Sequence, residues 1–168
     1  DQNGSGAVDL NGDINTADTV DFAGAVDLLS DVVIDTGPGS GDVTFAEPVD
    51  GDFLLSVLAG TGDVAYNGNV GGGTPLSGLD ITTTGGTSFG GPVAVDDQGL
   101  SVTSGAIDFA STITSTNAGD LSLNNSGLLT LSDDVNSAGS FDQNGAGDVE
   151  LDGNINTVSS VDFAGAVD

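Results

Sequence analysis

A chain of 168 residues with 26 acidic residues and no Lys, Arg or His has a formal net charge of −26. That excludes the basic stripe by which proteins grip nucleic acid and opposes docking on anionic lipid. Cys, Met and Trp are also absent, which excludes disulfides, thiolate metal sites and cysteine nucleophiles together.

A hydrophobic fraction of 37% is too high for a disordered acidic chain, because disorder requires low hydrophobicity as well as high net charge. The sequence is expected to fold. It opens with DQNGSGAVDLNGDINTADTVDFAGAVD, and a near copy, DQNGAGDVELDGNINTVSSVDFAGAVD, begins at Asp142. Roughly two-thirds of the 27 aligned positions are identical. Such duplication suits a window on a tandem array. Residues 1–141 then read as one complete repeat and 142–168 as the start of the next, in one continuous solenoid. With no Met and no signal-peptide pattern, the chain reads as an internal fragment. Its longest apolar runs, such as FLLSVLA from Phe53, fall far short of the ~18 residues a membrane-spanning helix needs, so no membrane insertion is expected.

Within the long repeat a shorter motif recurs: an apolar residue, a spacer, a second apolar residue, three small or polar residues, and a third apolar residue. In chain order it occurs at Val8, Leu10 and Ile14; Val43, Phe45 and Val49; Val64, Tyr66 and Val70. It continues at Thr87, Phe89 and Val93; Ile107, Phe109 and Ile113; Leu129, Leu131 and Val135; Val149, Leu151 and Ile155. Alternation with period two predicts a strand with one buried face. The intervening triplets, among them NGD, AEP, NGN, GGP and DGN, are rich in residues that accept left-handed or fixed backbone and predict sharp corners. A second strand precedes most copies, at Leu55 and Val57, Leu79 and Ile81, Leu100 and Val102, Leu121 and Leu123, and Phe141.

The stretch TVDFAGAVDLLSDVV fits the motif at Val20, Phe22 and Val26, or at Val26, Leu28 and Val32. The second choice spaces the coils evenly, about seven per 141 residues, and is adopted because stacked coils share one cross-section. The fold class expected is all-β: a parallel β-helix, or β-solenoid, of about 20 residues per coil. A sandwich of Ig-like domains is the rival, but it calls for a large buried aromatic anchor in each domain. Here Phe45, Tyr66, Phe89 and Phe109 share one motif position, which in a parallel stack becomes an interior column of rings.

The wording of GDVTF, AGTGDVAYNGNVGG and TPLSGL, between Gly41 and Leu79, resembles the β-strand repeats of giant filamentous-haemagglutinin-like bacterial cell-surface proteins, with weaker similarity along most of the chain. The resemblance implies a right-handed parallel β-helix, secretion, and a place in adhesins or surface fibres. The complete loss of Lys and Arg departs from that class and favours a specialised material.

Three constellations bear on chemistry. DLNGDINTAD resembles a shortened calcium loop, with Asp9, Asn11, Asp13, Asn15 and Asp18 as candidate oxygen donors. The expected loop has Gly sixth and Glu twelfth, whereas Gly12 stands fourth here and no such Glu follows. The alternative is a solvated strand and corner. The pairs Asp96 with Asp97 and Asp133 with Asp134 could serve as glycosidase acid and base, but adjacent residues on a strand point to opposite sides, and the turn reading is preferred. The run GGGTPLSG from Gly71 lacks the GK[ST] of a phosphate loop and reads as a corner.

At ~4.8 Å per coil, 26 charges amount to about one per 1.5 Å of axis, as dense as duplex DNA at ~1.7 Å. Calcium or other divalent cations are therefore expected as diffuse counterions, with no cofactor required. The function expected is a structural, non-enzymatic segment of a long acidic fibre at the cell surface or outside the cell. Its partners would be copies of itself, along the axis and in lateral bundles, together with cations. The alternative is an adhesin shaft or a calcium-assisted glycan-binding surface.

Overall fold

The computed structural model describes residues 4–168, and among these every strand pairing is parallel and no helix occurs. The chain winds into a β-solenoid of about seven turns with about 21 residues per turn. The first coil contains β1 (Val8–Leu10), β2 (Ile14–Asn15) and β3 (Val20–Phe22). The second contains β4 (Val26–Leu28), β5 (Val32–Asp35) and β6 (Val43–Phe45). The third contains β7 (Val49–Asp50), β8 (Leu54–Gly60) and β9 (Val64–Tyr66). In the fourth, Val70 makes a lone bridge ahead of β10 (Leu76–Thr83) and β11 (Thr87–Phe89). In the fifth, β12 (Val93–Ser104) rounds a corner before β13 (Ile107–Phe109). The sixth contains β14 (Ile113–Ser115), β15 (Leu121–Asn125) and β16 (Leu129–Leu131). The seventh contains β17 (Val135–Ser137), β18 (Phe141–Gln143) and β19 (Val149–Leu151), and β20 (Ile155–Thr157) and β21 (Val161–Phe163) follow.

These strands stack into three faces. The first runs β1, β4, β7, Val70, the start of β12, β14, β17 and β20. The second runs β2, β5, β8, β10, the end of β12, β15, β18 and β21. The third runs from β3 to β19 through β6, β9, β11, β13 and β16.

Period-two alternation builds this core directly. Val26, Val49, Val70, Val93, Ile113 and Val135 form one buried column on the first face. Leu55, Leu79, Leu100, Leu121 and Phe141 form another on the second. On the third face the rings of Phe22, Phe45, Tyr66, Phe89 and Phe109 stack with centroids 5.1, 4.7, 5.1 and 4.5 Å apart. Their planes lie within 11° of parallel, because parallel in-register strands place each ring directly over its equivalent. The column passes to Leu131 above Phe109.

The interior also holds polar side chains, and among the described residues the Tyr66 hydroxyl is the one buried side-chain polar atom left without a hydrogen-bond partner. The amide of Gln143 donates to Asn125 Oδ1 at 2.6 Å and to the Gly145 carbonyl at 2.8 Å. Its Oε1 accepts from the N–H groups of Ala164 and Gly165. Ser104 receives the Thr87 hydroxyl and donates to the Gly85 carbonyl. Bonded in this way, these groups avoid the cost of a buried unpaired dipole.

Two expectations require correction. In the ambiguous stretch the motif falls at Val20, Phe22 and Val26, not at Val26, Leu28 and Val32. Phe22 lies under Phe45, while Val26 and Leu28 share the first-face strand β4. Even spacing was the wrong criterion, because coil length varies in the corners. Val8 pairs with Val26 but Val26 with Val49, steps of 18 and 23 residues. The 141-residue offset is likewise not a whole number of coils. Val8 lies on the first face and its equivalent Val149 on the third.

Candidate functional surface

Two sets of acidic residues stand out by position, and Asp50 belongs to both. At a corner the chain leaves the strand ladder, and its N–H groups lose their regular partners. Asp side chains from the preceding coil supply acceptors there. Asp13 accepts from Val33 N–H at 2.9 Å, Asp31 from Leu54 at 3.0 Å, Asp42 from Asp63 at 2.8 Å and Asp63 from Gly86 at 2.6 Å. Asp50 accepts from both Gly73 and Thr74, at 2.7 and 3.2 Å. Asp120 accepts from the Ser140 N–H at 2.7 Å and hydroxyl at 2.9 Å, and Asp134 accepts from the backbone and side chain of Asn154 at 2.8 and 2.9 Å. In each case the carboxylate belongs to the earlier coil and the donor to the next.

These charge-assisted bonds hold the Asp120 carboxyl below its ordinary range, through the Ser140 N–H first and its hydroxyl second. Asn154 does the same for Asp134, again through the backbone before the side chain. Asp80, on the outer side of β10, is pushed upward by partial burial. These locks were not singled out from sequence, yet a signal exists: Gly-Asp stands immediately ahead of an inward apolar residue at Asp42, Asp63 and Asp120.

The second group forms outward ranks. Asp9, Asp27 and Asp50 pair in register on the first face, so three carboxylates project from successive coils. Asp142 and Asp162 do so on the second face.

The candidate calcium donors spread along the first coil. Asp9 lies on β1, Asn11 and Asp13 on the corner, Asn15 on β2 and Asp18 on the next corner. Asp13 is already engaged by Val33, and the Asp18 N–H donates to the Thr16 hydroxyl. Among the described residues no three acidic groups gather closely enough to hold a metal ion.

Asp96 accepts the Thr116 hydroxyl at 2.7 Å, and Asp133 accepts its neighbour's N–H at 2.8 Å, so both pairs occupy corners. The Gly71 run is a corner as well. Gly71 has φ of 68°, and a side chain there would strike the Ala94 carbonyl, a geometry that suits glycine. Among the described residues no helix is long and apolar enough to cross a membrane.

The molecule is thus defined as a three-faced parallel β-solenoid with carboxylate-locked corners and ranked surface acids. Comparison with protein-family models, with curated proteins and with solved structures found no match.

Proposed function

We propose that this chain is a structural segment of a long acidic solenoid fibre at or beyond the cell surface. The observation that carries the reading is the use of part of the acid set to tie one coil to the next. Seven carboxylates bond forward to the next coil's backbone, and the repeated sequence supplies a natural continuation of the stack. A parallel stack has no intrinsic length limit, since each coil touches only its neighbours.

The composition supports durability outside the cell. Without Lys or Arg there is no trypsin-type cleavage site, and without Cys or Met the side chains on the sulfur oxidation ladder are missing. Divalent cations act as diffuse counterions that bridge neighbouring fibres. Electron microscopy of the native source tests the reading. Long uniform filaments that bind an antibody to this chain are expected, and discrete labelled particles would overturn it.

A further inference from the structure

The two copies of the duplicated sequence fold alike but face differently. In the first, Val8–Leu10 take the first face, Ile14–Asn15 the second and Val20–Phe22 the third, and Val26 closes the coil over Val8. In the second, Val149–Leu151 take the third face, Ile155–Thr157 the first and Val161–Phe163 the second, and Val167 closes over Val149. Even the closing hydrogen bonds correspond. Val8 N–H donates to the Ala25 carbonyl at 2.8 Å, and Val149 N–H to the Ala166 carbonyl at 2.7 Å. Moving from Val8 to Val149 therefore winds six turns and two-thirds, a third of a turn short of seven.

The first copy also shows what seats on such a coil. Ile34 lies over Ile14, Val43 over Val20, Phe45 over Phe22, and Val49 over Val26. Under that cover Val20 is 6% exposed and Val26 1%. The same side chains in the second copy, Val161 and Val167, are 42% and 44% exposed. The edge they form has nearly the same sequence as the edge of β2, β3 and Val26 that β5, β6 and β7 cover, so it is complementary to those same strands.

We infer that the edge made by β20, β21 and Val167 is a docking surface for a second copy of this repeat, whose β5–β7 residues seat on it as they seat on β2, β3 and Val26, and that each joint turns the repeat by a third of a turn. The biological meaning of the joint rests on the fibre reading; its geometry rests on the internal duplication. At ~4.8 Å per coil each repeat advances about 32 Å, and three repeats restore the starting face after about 20 coils, or about 96 Å.

Surface features migrate accordingly. The rank begun by Asp9 and Asp27 on the first face is resumed on the third by Glu150 and Asp168, where Asp168 N–H bonds the Val149 carbonyl and Leu151 N–H bonds that of Asp168. No side of a stack of repeats is then uniformly acidic, and lateral neighbours meet it equivalently in three directions.

The test is a tandem polypeptide in which residues 1–168 continue directly into residues 28–168 of a second copy, compared with the single chain. Val20 N–H bonds the Asp42 carbonyl and Val26 N–H the Pro48 carbonyl, so amide exchange at Val161 and Val167 is expected to slow by at least about a hundredfold in the tandem. Val161→Asp should abolish that added protection while leaving β6 to β15 protected as before. Unchanged exchange, or a tandem that melts below the single chain, overturns the docking surface. Cryo-electron microscopy of a six-copy tandem then reads the phase. A rise of about 32 Å with a 120° rotation per repeat supports it, whereas about 34 Å with no rotation overturns it. A native source without filaments would remove the fibre reading and leave these measurements standing.

Discussion

The backbone N–H of Asp63 donates to the carboxylate of Asp42 at 2.8 Å, while the carboxylate of Asp63 accepts from Gly86 N–H at 2.6 Å. One residue type thus links three successive coils in series. Asp63→Ala strands the Gly86 donor at its corner and should cost about 1–2 kcal/mol. Asp63→Asn keeps an acceptor oxygen and should cost less than half as much. Asp27 stands in register between Asp9 and Asp50 with no lock to make, so Asp27→Asn relieves like-charge repulsion and should raise stability slightly. Urea melts of the three variants at low salt give the ranking, and equal losses at Asp63 and Asp27 would count against the division into locking and ranked acids.

Tyr66 is the sole tyrosine, fully buried between Phe45 and Phe89, and its hydroxyl has no hydrogen-bond partner. Burial pushes its pKa far above the ordinary value of about 10. Phenolate absorbance should therefore be absent in the folded protein above pH ~10 and emerge only on unfolding. The neutral form is favoured in the fold, so stability is full below the unfolded pKa and falls as pH rises past it. Tyr66→Phe removes the unpaired dipole and keeps the ring column, with an expected gain of about 1 kcal/mol. A loss of stability would indicate a partner for the hydroxyl.

Asp120 and Asp134 titrate below ordinary carboxylates because the next coil's donors favour their charged forms. A depressed folded pKa contributes stability above the unfolded value of about 3.9, and that contribution is lost as pH falls through the folded value. Asp80 is shifted the opposite way by burial and favours the fold when protonated. Carboxyl NMR titration should place Asp120 and Asp134 below Asp80. Asp120→Asn should flatten the acid limb of the stability curve. An unaltered limb would show that the Ser140 bonds contribute nothing measurable.

Ions should act on the whole surface. Screening reaches ~30 Å at 0.01 M salt and ~8 Å at 0.15 M, so low ionic strength should lower the melting temperature and loosen bundles. Millimolar calcium at low salt should raise it, because ions held by the dense folded array stabilise that state by linkage. Asp13→Ala removes the Val33 lock and should lower the baseline while leaving the calcium increment nearly unchanged. Abolition of the increment would place the ion at the Asp9–Asp18 stretch, and an absence of any calcium effect would remove both the local and the diffuse version.

The strand faces were legible because inward positions alternate without exception through stretches such as Val43–Phe45 and Ile107–Phe109, and because aromatic residues recur at one position. The phase at residues 20–32 was not, since VDF and VDL alternate equally well and only the ring of Phe45 above selects Phe22. The corner locks were hidden for a related reason. Asp13 and Asp9 are both acidic residues beside a strand, and which of them bonds depends on where the next coil's Val33 N–H arrives, some 20 residues on. Gln143 and Asn125 were invisible as core residues because their partners are carbonyls and side chains in other coils.

The forward sense of the locks gives the stack a direction. Cut between two coils joined by such locks, and the earlier block ends in acceptor oxygens while the later block begins with N–H groups awaiting them. Two blocks can rejoin head to tail, each oxygen finding its hydrogen. Turned face to face, acceptors would oppose acceptors and charge would oppose charge. The solenoid is thus a vector, with chemically unlike poles, and assembly along it is restricted to one orientation.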